Sequence, residues 1–360
     1  MLIIAAIGRD VLQRNFALSV LTAIVLIVSG AGCGLSEEKS ILMAAGAYGD
    51  LAVVVSDDAM KPMASQFVGR FNTEHLFVIK PEMNFKTDIF GPQKLKFAHG
   101  YKNALMLVHL GAGGRVEKEA KKQISKETWE RLNAGGGGVV QVKDPWSTYQ
   151  LLVVVASRDR NSVASLLNKN LDKIQDLFDN SNRERILRRN RYDGLKTDLM
   201  DLYRRDIGFY LEIPGEYEQN QYRPDGFPGL ELMRKGPSRG ISVSWMDSKN
   251  PVRDLANFEI MARMRAKMGT RLHNEEIIES TFVWDEIEIN GVLSVSLKGA
   301  WNSRRFAGGG PFWCYFVPDV ERGRIYCVDM LAFAPGMEKM NFFRRMSAVV
   351  STFSLKGPQS

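Results

Sequence analysis

The side chains that most often carry out acid–base or metal chemistry are few and scattered in this sequence. No pair of histidines has a metal-ligand spacing such as His-x₃-His, and no Gly-x-Ser-x-Gly nucleophile motif occurs. The four histidines are His75, His99, His109 and His273. The sequence therefore identifies no catalytic residue, and we expect neither a metal site nor a cofactor.

Two consecutive aspartates, Asp57 and Asp58, follow a predicted buried strand. Carboxylates at a strand end could bind a metal ion. Either one could also form an acid–base pair with His99 or His109 if the fold brought them together. An aspartate between a strand and a helix more commonly caps the helix, because its carboxylate accepts hydrogen bonds from the first turn. We therefore expect capping at this position.

A glycine-rich loop, Gly111 to Gly114, lies between a predicted strand and a predicted helix. This context suits a phosphate, because the N–H groups at a helix N-terminus point at the anion. The match to known motifs is poor. Val116 stands where a dinucleotide fingerprint has glycine, and no Gly-Lys-Ser/Thr follows. The sequence favours a plain turn over a nucleotide site.

The most specific chemical signature is the one that ends at Cys33. Arg9 and Arg14 precede an uncharged apolar run at 16–28, and small residues at 29–32 lead into the cysteine. That order is typical of a secretory signal. The cysteine resembles that of a lipobox, whose thiol receives a diacylglyceryl group and becomes the mature N-terminus, although Gly30 stands where leucine is usual. The alternatives are an ordinary signal peptide with a chance cysteine, or an uncleaved anchor.

Lipidation at Cys33 fixes the expected compartment of the protein. Residues 1–32 would be a signal peptide and 33–49 a tether, and the acyl chains would hold the protein on a membrane. Glu37 and Glu38 resemble the surface-export signals of Bacteroidota lipoproteins, although a solvated tether explains them as well. We expect a cell-envelope location, at the outer membrane rather than the inner one, either periplasmic or surface-exposed.

The other two cysteines, Cys314 and Cys327, lie in two strands predicted to face each other. Disulfides persist in an exported protein, and a bridge here could add about 3 kcal/mol if the geometry allows it. Direct pairing needs an even-length loop such as 319–322, and a bulge at Gly323 would shift the register by one. Two buried free thiols are the alternative.

Basic residues outnumber acidic ones and give the chain a net charge of +7. For an exported protein, anionic lipid or glycan is a more plausible partner than nucleic acid, for which no binding motif is present. The densest basic cluster is an anion-patch candidate, or else a solvated helix face with i,i+4 ion pairs. It comprises Arg183, Arg185, Arg188, Arg189 and Arg191.

Hydrophobic periodicity predicts an α+β protein. An N-terminal α/β domain at 50–158 is expected from apolar strands at 51–56, 76–79, 103–110, 139–142 and 150–156. It also has a loop at 85–93 and helices at 60–71 and 116–132. A long helical connector at 159–206 follows.

The C-terminal domain, at 207–356, is expected to be an antiparallel sheet sandwiched by helices, like the PsbP-type sandwich in topology only. The Asn290-Gly291 dipeptide predicts a hairpin turn. Strands are predicted at 209–214, 230–234, 241–246, 282–289, 292–297, 312–317 and 325–333. Helices are predicted at 251–268 and 337–353.

Several stretches of the chain resemble the Bacteroidota family known as domain of unknown function 4837. They are LAVVVSDDAM (51–60), FYLEIPGEYE (209–218), LELMRK (230–235), KGAW (298–301), GGPF (309–312) and LAFAPGMEKMNFFRRM (331–346). The resemblance implies a cell-envelope lipoprotein and supplies no chemistry. We expect a non-catalytic binding or scaffold protein that meets an envelope protein or a glycan. The alternative is a periplasmic or surface hydrolase whose site forms only in the fold. The oligomeric state stays open.

Overall fold

The computed structural model describes residues 42–71, 81–223 and 228–357. The signal sequence, Cys33, His75 and the strand predicted at 76–79 lie outside the described residues. Contacts divide the chain into two compact units. Of the described residues, the first contains 42–46, Asp50–Val68 and Thr87–Ile174, and the second contains Ala47–Gly49, 69–71, 81–86, 175–223 and 228–357.

The first unit is built on a five-stranded sheet in the order β2-β1-β3-β5-β4. β1, β3 and β5 are parallel, and β4 is antiparallel to β5. The three parallel strands are apolar on both faces and almost wholly buried, as expected for such strands. The strands are β1 (Asp50–Val55), β2 (Lys86–Phe90), β3 (Asn103–His109), β4 (Gly137–Lys143) and β5 (Leu151–Ser157). The predicted α/β class is thus confirmed. The loop predicted at 85–93 was wrong, because Lys86–Phe90 forms β2.

Helices follow the strands of the first unit and continue into the second. They are α1 (Lys61–Phe71), α2 (Arg115–Gln123), α3 (Lys126–Ala134), α4 (Arg160–Lys169), α5 (Leu171–Asp193) and α6 (Thr197–Asp206). The single helix predicted at 116–132 is two helices, because the Ser125 side chain accepts a hydrogen bond from the Thr128 N–H and starts a new one. The helical region predicted at 159–206 is likewise three helices.

The second unit is built on a seven-stranded antiparallel sheet in the order β6-β7-β8-β12-β11-β10-β9. Its strands are β6 (Glu218–Arg223), β7 (Gly229–Arg234), β8 (Ser238–Asp247), β9 (Glu275–Ile289), β10 (Val292–Ser303), β11 (Gly309–Asp319) and β12 (Arg324–Phe333). Its further helices are α7 (Pro251–Leu255), α8 (Phe258–Met268), a π-helical turn (Gly269–His273) and α9 (Met340–Val350).

Both faces of this sheet are covered, as the apolar strands predicted. On β12, Tyr326, Val328 and Met330 pack with side chains of α6 and α9. The alternate residues Ile325 and Cys327 pack with α7 and α8. Because successive side chains of a strand point to opposite faces, alternate residues of β12 pack with the helices on opposite faces of the sheet.

Two local predictions in this unit were wrong. Residues 209–214 form no strand, although Phe209, Leu211 and Ile213 alternate inward; only isolated bridges occur, such as Tyr210 with Ser354. β6 was missed because its sequence, EQNQYR, is polar.

Candidate ligand-binding cleft

A cleft of about 530 Å³ opens on the second unit, and every residue that lines it belongs to that unit. Its lining comes from α5, from α9, from the end of β9 and from the middle of β11. A cleft of this size lies within the range of small-molecule sites. It is therefore the candidate functional site.

The floor of the cleft is partly apolar. Trp313 and Tyr315 project from β11 toward the α9 face of the sheet, and Ile287 and Ile289 extend this surface along β9. Trp313 packs against Phe343 of α9, with ring centroids 4.9 Å apart. The floor is thus held by the core beneath it.

A buried arginine fixes the polar end of the cleft. Arg344 donates from Nη2 to the Asn84 backbone oxygen at 2.8 Å and to Asn84 Oδ1 at 2.7 Å. Its guanidinium lies over the Phe85 ring, 4.7 Å from the centroid, and is 3.6 Å from an Asp179 oxygen. These contacts hold the positive charge in one orientation.

Charged groups of both signs surround the opening. Asp176, Asp179 and Arg183 lie three and four residues apart on α5 and therefore share one helix face. Glu288 of β9 also lines the cleft. With Arg344, the lining carries three carboxylates and two guanidiniums, so the cleft is nearly neutral and rich in both donors and acceptors.

The predicted arginine cluster is only partly at this site. Arg183 lines the cleft. The other arginines have partners within the protein. Arg185 donates to Asn182, Arg189 to Asp193 and Arg191 to Glu212. Arg188 also has a partner. This pattern suits a solvated helix face, and the anion patch stays a prediction.

The residues singled out in the first unit have local structural roles. Asp57 Oδ1 accepts from the Ala59 N–H at 3.0 Å, and its carboxylate pairs with Arg160 at 3.2 Å. Asp58 pairs with Lys61 at 2.8 Å. Within the described ranges, no group of histidine, cysteine or carboxylate side chains is arranged to hold a metal ion. The expected capping role of Asp57 is confirmed.

The two histidines considered for acid–base chemistry make contacts with residues other than Asp57 and Asp58. His99 stacks on Trp146 with centroids 4.4 Å apart, and burial lowers its pKa. The His109 backbone N–H donates to Ser56 Oγ at the end of β3. Among the described contacts, no hydrogen bond joins either histidine to Asp57 or Asp58.

The backbone N–H groups of the glycine loop donate to a side chain of the protein itself. Glu117 accepts from the Gly111 N–H at 2.6 Å and from the Gly113 N–H at 2.5 Å. These are the donors that a phosphate would need. The loop is therefore a self-capped turn, as the sequence favoured.

A buried polar network between the second sheet and its α8 layer was not found from the sequence. The register aligns four polar side chains side by side on adjacent strands. They are Glu231, Ser242, Asp329 and Cys314. His273, from the π-helical turn, connects two of them: Nδ1 lies 2.7 Å from Glu231 Oε1, and Nε2 lies 3.1 Å from Ser242 Oγ.

Arg265 of α8 binds the other end of this network. Its Nε donates to Asp329 at 2.9 Å, its Nη2 to Glu275 at 3.2 Å, and the guanidinium lies 4.3 Å from the Phe312 centroid. Burial raises the pKa of both carboxyl groups. Burial alone would lower the pKa of His273, but the hydrogen bond to Glu231 and the nearby Glu275 raise it overall.

Ser242, His273 and Glu231 have the connectivity of a hydrolase triad. Ser242 is fully buried, however, and the side chains of His273 and Glu231 are 5% exposed. A substrate cannot reach the serine in this conformation. The network is therefore part of the core, and it does not support the hydrolase alternative.

The two cysteines lie close together in this layer. Their Sγ atoms are 3.1 Å apart as free, buried thiols. They are diagonal neighbours, because Cys314 faces Asp329 and Cys327 faces Phe316. The disulfide that the sequence allows is neither made nor excluded by this geometry, and both it and the pair of free thiols stay open.

In the part of the chain that the structure describes, no helix is long and apolar enough to span a membrane. The fold and the cleft define a protein with an α/β first unit and an α+β second unit, and the second unit contains a ligand-sized cleft. Residues 198–352 match the family described as Domain of unknown function (DUF4837), which confirms the resemblance for the C-terminal half. Residues 44–191 match a second family, Domain of unknown function (DUF8532), and this range includes the 51–60 stretch. No curated protein matches the chain significantly.

Three solved structures show distant likeness. The solution structure of cyanobacterial PsbP (CyanoP) from Synechocystis sp. PCC 6803 is 11% identical, with a TM-score of 0.30, over 41% of this chain and 86% of that one. A protein of unknown function from Pseudomonas aeruginosa is 17% identical, with a TM-score of 0.25, over 39% and 88%. A Bacteroides thetaiotaomicron VPI-5482 structure is 7% identical, with a TM-score of 0.21, over 42% and 46%. Likeness at this level carries no argument about function.

Proposed function

We propose that this protein is a lipid-anchored, non-catalytic binding protein of the cell envelope that holds a glycan in the cleft of its second unit. The anchor is the thiol of Cys33. The observation that carries the binding proposal is the cleft itself, which combines an apolar floor with donors and acceptors in fixed positions.

The chemistry of the lining suits a sugar. Hydroxyl groups both donate and accept, so they can bond to the carboxylates of Asp176 and Glu288, to the Asn84 amide and to the Arg344 guanidinium. The carbon face of a sugar ring can lie on the floor around Trp313. The nearly neutral lining favours an uncharged polar ligand over a polyanion such as nucleic acid.

One observation favours a second candidate function, glycoside hydrolysis. Asp176, Asp179 and Glu288 all line the cleft, and glycosidases use a pair of carboxylates that flank the bond they cleave. This is the hydrolase alternative in its most concrete form. It predicts that a bound glycan becomes shorter, whereas a binding protein leaves it intact.

The binding proposal is tested with the mature chain carrying Cys33→Ser, applied to an array of bacterial envelope oligosaccharides and followed by calorimetry on any glycan retained. Asp176→Ala removes one acceptor from the cleft and should weaken binding about tenfold. The matched control is Asp172→Ala, an exposed aspartate one turn earlier on α5 that does not line the cleft. Retention of no glycan, or equal affinity of both variants, would count against a glycan site here.

A further inference from the structure

β9 forms one edge of the seven-stranded sheet and is 15 residues long. β10 pairs with one side of it. Among the described residues, no strand pairs with the other side. An edge of this length presents backbone N–H and C=O groups that can form hydrogen bonds with an added strand.

The sequence of β9 is strongly acidic in a chain whose net charge is +7. It contains six acidic residues and no basic one, EEIIESTFVWDEIEI. Glu275 is paired with buried Arg265. The exposed members are Glu276, Glu279, Asp285, Glu286 and Glu288.

The pairing register divides β9 into two parts. It shifts between Lys298 and Ala300, so residues 279–282 of β9 bulge opposite Gly299. A bulge of this kind interrupts an edge and limits where a partner strand can pair. Beyond it, residues 283–289 pair regularly with β10 and present an open outer side.

Charge identifies the partner of this open segment. Its acidic side chains project on both sheet faces, since Asp285 alternates with Glu286 and Glu288. A second copy of β9 would place carboxylates opposite carboxylates, which is destabilising. Lysine or arginine side chains on an added strand would instead meet opposite charges, and Val283 and Ile287 leave apolar positions between them.

We infer that residues 283–289 bind an extended, lysine- or arginine-rich segment of a partner protein by strand addition. Backbone hydrogen bonds to the free side of β9 hold the segment, and its basic residues set its register against the carboxylates of one sheet face, Asp285 or Glu286. This inference does not rest on the glycan proposal. Ile287, Glu288 and Ile289 also line the cleft, but Asp285 and Glu286 do not, so mutation of these two residues separates the two sites.

The test uses the full mature chain and a fluorescent peptide of roughly eight residues, alternating Lys and Val, the length of a typical strand. Fluorescence anisotropy should show binding, and Asp285→Lys/Glu286→Lys should weaken it by about tenfold or more. The same peptide with N-methyl groups on alternate residues cannot donate its backbone hydrogen bonds and should not bind.

Two control variants make the result specific to this edge. Glu218→Lys changes an exposed acid on β6, the opposite edge of the sheet, and Asp176→Ala changes the cleft; both should bind the peptide normally. The inference is overturned if the Lys/Val peptide does not bind, if the N-methylated peptide binds equally well, or if an alternating Glu/Val peptide binds as tightly.

Discussion

Arg265 has no exposed side-chain surface and lies between two carboxylates in the core of the second unit. Three carboxyl groups, one guanidinium and one imidazole share this layer. Buried charges persist only when they are paired. The contact pattern therefore predicts that individual members of the network are costly to remove.

We expect Arg265→Met to lower the free energy of unfolding of the second unit by about 3–5 kcal/mol, because it leaves Asp329 and Glu275 buried without a counter-charge. Hydrogen exchange of β12 peptides in increasing urea measures this loss in the relevant unit. Arg253→Met is the control, since Arg253 is largely exposed and paired with Asp254. An effect no larger than the control's would contradict the role assigned to Arg265.

The raised pKa of His273 predicts the sign of the pH dependence. Its contribution to stability is fully present below the unfolded pKa of about 6.5 and is lost as the pH rises through the higher folded value. The raised pKa values of Asp329 and Glu275 act in the same direction, because their protonated forms are favoured in the fold.

Hydrogen-exchange protection of β8 should therefore fall as the pH rises above about 6.5, the unfolded pKa of histidine. His273→Gln should flatten this dependence, whereas His109→Gln, in the other unit, controls for loss of an imidazole. Protection of β8 that rises with pH, or an unchanged slope in His273→Gln, would contradict the raised pKa of His273.

For individual residues, the sequence predicted contacts between chain neighbours better than contacts between segments distant in the chain. Capping by Asp57 follows from its neighbours in the chain, so it was predictable. The partners of His273 are Glu231 and Ser242, which only the register of β7 and β8 brings together. The available signal was a carboxylate such as Asp329 inside an otherwise apolar strand, since an acid there needs a buried partner.

At the scale of elements, the strand patterns were more informative than their ends or their register. The hairpin at Asn290-Gly291 was confirmed, with positive φ at both residues. Helix 251–268 was predicted whole, but Asn257 accepts from the Ile260 N–H and starts a second helix. β2 and β6 were missed because tertiary pairing selected polar segments that lack an apolar period.

The β11–β12 hairpin also decides the fate of its two cysteines. With the thiols 3.1 Å apart, we expect protein purified from an oxidising envelope to contain a Cys314–Cys327 disulfide, which would add about 3 kcal/mol. Alkylation in denaturant without reductant, followed by mass spectrometry, should leave both cysteines unlabelled. Full labelling of both would show that they remain free thiols.

At the scale of the whole molecule, the change of strand pattern along the chain correctly indicated two differently built halves. The second half is an antiparallel sheet covered by helices, as predicted, and the two family matches meet between residues 191 and 198. The domain limits 50–158, 159–206 and 207–356 stay predictions. The cleft was not predictable, because its lining comes from Asn84 and from α5, β9, β11 and α9, which are distant from one another in the chain.

Lipid anchoring is the prediction that concerns the chain as a whole. We expect Cys33→Ser to abolish palmitate labelling and to move the protein from the membrane fraction to the soluble fraction, because the acyl chains supply the membrane affinity. Ser36→Ala, close to the same site, is the control and should stay acylated. Unchanged labelling of the Cys33→Ser variant would refute the lipobox.

The central claim is that the cleft holds a glycan without cleaving it. The most direct measurement is prolonged incubation of the mature protein with a glycan it retains, with affinity and glycan chain length determined on the same sample. We predict saturable binding that Asp176→Ala weakens, and an unchanged chain length. Shortened products that disappear in Asp176→Ala would contradict the account and assign the cleft to a glycoside hydrolase.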